Sequence, residues 1–60
     1  MEIAEAIQIV NEYNEKNDCG GFLEAMMEMQ EAYFDLEQPY RLAYRVVFAQ
    51  AKELFAPMPY

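Results

Sequence analysis

Leu36-Glu37-Gln38-Pro39-Tyr40-Arg41 is the stretch whose reading decides the fold. Inside a helix, Pro39 would remove a backbone hydrogen bond and press its ring on the carbonyl of Asp35, costing roughly 3 kcal/mol. As the first residue of a new helix it costs almost nothing. Gln38, standing before a proline, is pushed towards extended backbone, which is the geometry of an N-cap. The chain is therefore expected to break at residues 37–38, closing one helix and opening the next.

On both sides of the break the apolar spacing is helical. Downstream, Tyr40, Ala43, Tyr44, Val47, Ala51 and Leu54 share one face, so a third helix is expected over about 39–55. Ala56-Pro57-Met58-Pro59-Tyr60 is expected to be extended, because its prolines do not continue a helix. Upstream, Phe22, Met26, Met29, Tyr33 and Leu36 form a face that Leu23, Met27 and Phe34 widen, which gives a second helix over about 21–36. Before it lies Asn17-Asp18-Cys19-Gly20-Gly21, a breaker cluster whose glycines suit a left-handed helix end. The first helix is expected over about 2–16, with Ile3, Ala6, Ile7, Val10 and Tyr13 inward. The reading is one all-α domain over 1–60, an up-down-up three-helix bundle. Its competitor is helix 1 hairpinned onto a long kinked helix 2–3 that dimerises.

Charges suggest how the helices pair. Antiparallel neighbours bring together residues whose numbers add to a constant. Asp35 with Arg41, Glu31 with Arg45 and Glu24 with Lys52 share one such constant, 76, which also pairs Met29 with Val47 and Tyr33 with Ala43. Those three ion pairs would offset the like-charge repulsion along Glu24, Glu28, Glu31 and Asp35, and would fix a register more than add stability. A constant of 39 would lay helix 1 on helix 2, pairing Val10 with Met29 and Ile3 with Leu36.

Composition excludes several functions. The 60 residues are 55% hydrophobic, with 11 acidic side chains against 4 basic ones and no histidine, for a formal charge of −7. A disordered acidic chain would be poor in the aliphatic and aromatic residues present here. Direct nucleic-acid binding needs clustered cations. No apolar run is long enough for a membrane span, and Glu2 and Glu5 stand where the basic start of a signal peptide would be. Cys19 has no partner for a disulfide, so a reducing cytoplasm is expected.

No catalytic, cofactor or metal site is expected. The carboxylate line on helix 2 lacks the histidines of a di-iron bundle site and falls opposite the apolar face. Cys19 lacks a base, and Asp18 beside it raises the thiol pKa. Gly20-Gly21 lacks the lysine and spacing of a phosphate loop. Met26, Met27 and Met29 read as core.

What is left is contact surface. So short a chain gains only about 3–5 kcal/mol from one core, yet this one is rich in apolar residues. Ile9, rimmed by Glu2, Glu5 and Glu12, and the pair Leu42 and Val46 are the expected docking residues. The functional expectation is a small acidic non-enzymatic protein acting by protein–protein contact, as inhibitor, adaptor or minor subunit, and as a homodimer. The alternative is a nucleic-acid mimic that blocks a basic protein through Glu2, Glu5, Glu12 and Glu15.

Overall fold

The computed structural model of the chain describes residues 1–55, the side chains of 53–55 excepted. Three α-helices pack on one another in a small bundle: α1 spans Ile3–Asn17, α2 Phe22–Glu31 and α3 Tyr40–Phe55. A single 3₁₀ turn, Tyr33–Asp35, follows α2. Leu54 and the tail 56–60 lie outside the described side chains and residues.

α1 ends at Asp18, which takes the left-handed conformation (φ 50°, ψ 53°) expected of a glycine, and its N–H donates to the Asn14 carbonyl. A short polar side chain is the usual non-glycine occupant of that region. The same asparagine then starts the next helix, because its Oδ1 accepts the Gly21 N–H at 3.0 Å. Gly20, with φ at +99°, supplies a conformation that residues with a Cβ rarely adopt.

The break before Pro39 is present, and helices 2 and 3 are separate. α2 nevertheless stops five residues earlier than the expected end at 36. The chain tightens into the 3₁₀ turn and then extends at Leu36 (φ −76°, ψ 131°), whose side chain is buried. Its carbonyl accepts from Arg41 Nε at 3.1 Å and Nη2 at 3.0 Å. Pro39 itself precedes α3 by one residue, joined to Gln38 by a cis peptide, and its carbonyl accepts the Ala43 N–H at 2.9 Å. The helix start at Tyr40 puts Pro39, not the expected Gln38, at the N-cap, yet Gln38 still serves the helix end, its Oε1 accepting the Leu42 N–H at 3.1 Å.

Packing departs from the expected registers. The Tyr13 and Tyr40 rings meet edge to face with centroids 5.4 Å apart, and Lys16 Nζ lies 5.8 Å above the Tyr40 ring. α3 therefore begins beside the end of α1, and the two share the most extensive interface of the bundle. They run antiparallel, so the bundle of three helices forms without the expected up-down-up order, in which α1 and α3 would be parallel. Three steps from Tyr13 and Tyr40 bring Val10 opposite Ala43, and seven bring Ala6 opposite Val47, all four of them buried. Alanines at two of these positions let the backbones approach. α2 lies on α1 and touches α3 only slightly, so helix 1, not helix 2, is the shared element. The early end of α2 fits this, since the chain has eight residues in which to return from Glu31 to Tyr40 beside Tyr13.

The buried core is Ala6, Val10, Ala25, Met29, Leu36, Ala43, Tyr44 and Val47. Two expected faces are corrected. Ile9 packs against this core, whereas Ile7 is exposed. Leu23, Met27 and Phe34, expected to widen the core, are exposed as well.

Candidate docking face

α2 has a broad apolar face opposite Glu24, Glu28 and Glu31, and only part of that face reaches α1. Ala25 and Met29 take the inward side, which leaves Leu23 and Met27 facing water one helical turn apart. Leu23 is 75% exposed, Met27 57% and Phe34, in the 3₁₀ turn, 89%. Gln30, a further step along the Leu23–Met27 line, lines a groove of about 690 Å³ on α3. Tyr33 also lines it and touches both the Phe34 ring and the Tyr44 ring, at 5.4 and 5.7 Å between centroids. Tyr44 stacks in turn on Phe48, itself half exposed.

Leu42, Val46 and Ala49 form the apolar floor of the groove along α3, at the i, i+4, i+7 spacing of one helix face. Arg45 and Lys52 flank it. Among the described residues no carboxylate lines this groove. Leu23, Met27 and Phe34 on the α2 side and Leu42 and Phe48 on α3 are thus exposed, with the half-buried Tyr33 ring between the two elements.

Leu42 and Val46, picked from the sequence, are brought together here, with Val46 half-buried against the core and Leu42 more open. Ile9 is elsewhere. Glu2, Glu5 and Glu12 stay exposed along α1, so the rim survives while its expected apolar centre turns inward. The expected charge pairs are also rearranged. Arg41 is engaged with the Leu36 carbonyl. Glu24 sits at the α1–α2 turn, its Cγ 3.8 Å from where a side chain on Gly20 would begin. Lys52 lies twelve residues beyond Tyr40, about 18 Å along α3 from that end of the bundle. Glu24 and Lys52 are thus too far apart to pair within one chain. Among the described residues neither Arg45 nor Lys52 enters a side-chain hydrogen bond.

Cys19 is half-buried near Glu28. Burial, then the Glu28 carboxylate, then Asp18 and Glu24 push its thiol above the ordinary value, away from the thiolate a nucleophile needs. Among the described residues no three His, Cys, Asp or Glu side chains converge on a point where a metal ion would sit, and no helix is long and apolar enough to cross a membrane. The chain matches no protein-family model, and neither a curated protein nor a solved structure is significantly similar to it.

Proposed function

We propose that this chain is a small, acidic, non-enzymatic protein of the cytoplasm that acts by docking on protein surfaces, self-association included, through the strip along α2 and α3. The single observation that carries the reading is the exposure of Leu23, Met27, Phe34, Phe48 and Leu42, where among the described residues Met29 and Val10 are the largest side chains with no exposure. A molecule with so small a core gains stability by covering such residues, and an apolar strip bounded by charge is the usual anatomy of a contact surface. The raised thiol and the lack of any histidine support a role without covalent or acid–base chemistry.

The test is a double substitution, Leu23→Glu with Phe34→Glu, in tagged protein recovered from the source cells after cross-linking. The variant should keep its helical circular dichroism and lose the cross-linked products that the wild type forms. Identical products from both proteins would overturn the reading.

A second reading, the nucleic-acid mimic, rests on a separate observation. Glu2, Glu5, Glu12 and Glu15 are all exposed along α1. It predicts binding to a basic protein that weakens steeply with salt, and salt-independent binding would remove it.

A further inference from the structure

Within the docking reading, two features ask for the same occupant. The groove on α3 is apolar and carries two of the chain's four cations, Arg45 and Lys52, seven residues apart and hence about 10.5 Å along the helix. The exposed side of α2 carries Leu23 and Met27 beside Glu24 and Glu31, also seven residues apart. One face is the complement of the other in apolar spacing and in charge. They adjoin on the molecule, since Gln30 and Tyr33 belong to the α2 side and line the α3 groove.

We infer that the occupant of the α3 groove is α2 of a second copy of this chain, in a two-fold dimer where each protomer lends its α2 strip to the other's groove. Glu24 of the second copy then faces Lys52, and Glu31 of the second copy faces Arg45, while Met27 lies over Ala49 and Phe34 over Leu42. A two-fold contact of this kind is self-complementary, so each pair occurs twice. The antiparallel register that fails within one chain is satisfied between two. The area also suffices. The five exposed apolar residues leave roughly 600 Å² of side-chain surface per protomer. Two protomers give about 1,200 Å², the lower edge of a specific interface.

Sedimentation equilibrium of the purified chain tests this, with charge reversal as the probe. The wild type should be a monomer–dimer system in the micromolar to millimolar range, weaker in high salt. Glu24→Lys and Lys52→Glu should each weaken the dimer about ten-fold, since two contacts turn from attraction to repulsion. An equimolar mixture of these two variants should recover the wild-type association, as should the chain carrying both changes. A wild type that stays monomeric overturns the inference, as do single variants that associate like the wild type. Recovery in the doubly substituted chain but not in the mixture places the pair within one molecule and overturns it too. Phe34→Glu separates this failure from failure of the docking reading. If the wild type is monomeric while Leu23→Glu with Phe34→Glu still abolishes cross-linking to another protein, the second copy is wrong and docking stands. If the wild type dimerises and Phe34→Glu leaves that dimer intact, the strip is not the contact and both are wrong.

Discussion

Met29 and Met27 stand two residues apart on α2, have identical side chains, and occupy opposite environments: Met29 has no exposure and Met27 is mostly open. Truncating Met29 to alanine removes a fully buried side chain from a core of eight residues. Such truncations cost about 2–5 kcal/mol, through lost transfer energy and the cavity left behind. A single core of this size yields only about 3–5 kcal/mol in total. A loss of 3 from about 4 kcal/mol would leave about 1 kcal/mol, so roughly one molecule in six would be unfolded in buffer. With a urea dependence of about 1 kcal/mol per molar, the midpoint should fall by about 3 M. Met27→Ala removes the same atoms from water-facing surface and should change stability by less than about 0.5 kcal/mol. Urea titration followed by circular dichroism at 222 nm, run on dilute protein so that association does not contribute, measures both variants. Equal losses, or a larger loss for Met27→Ala, would refute the placement of α2 on α1, and the exposed strip would go with it.

Three further outcomes are expected. Ile9→Asp should cost about 2–3 kcal/mol and unfold much of the population, whereas Ile7→Asp should leave the melting curve nearly unchanged, since only Ile9 packs on the core. Arg41→Met, which keeps the stem and loses both bonds to the Leu36 carbonyl, should lower stability by about 1–2 kcal/mol in denaturant titration, while Asp35→Asn should be nearly silent. Burial first of all raises the pKa of Tyr13, Cys19 and Tyr44, so the fold favours their neutral forms; that contribution is whole at neutral pH and drains away as pH climbs through the thiol and phenol ranges and beyond. Melting temperature should therefore decline in alkaline buffer, and Cys19 should alkylate more slowly than a free thiol until the pH is raised, with Glu28→Gln speeding it.

How far the sequence could be read depends on where periodicity discriminates. Around Pro39 it did, because one proline has one inexpensive helical position, and three helices with a break before α3 follow from it. α3 also disclosed its inward face, since Arg41, Arg45 and Lys52 leave Ala43, Tyr44 and Val47 as the obvious stripe. On α1 the period is ambiguous. Viewed down the axis, Ile7 lies about 60° to one side of Val10 and Ile9 about 60° to the other side of Ala6. Which flank is covered depends on where α3 lies, and that is a long-range fact. On α2 the ambiguity is greater, because six of the eight residues Phe22–Met29 are apolar. Spacing alone does not choose between Met29 and Met27. The charge register at 76 was legible as a pattern, but a pattern of complementary spacing does not say whether one chain or two must satisfy it. Asn14 went unread for a local reason, since a side-chain bond to an N–H seven residues on leaves no periodic trace.

The most direct test of the docking strip is a dilution series followed by carbon–proton NMR of the methyl and aromatic groups. Upon concentration, the signals of Leu23, Met27, Phe34 and Phe48 should move together and report one dissociation constant, while Ile7 on the open side of α1 stays in place. Signals that hold still at every concentration would contradict self-association through the strip, and shifts confined to Ile7 and its α1 neighbours would contradict its placement on α2 and α3.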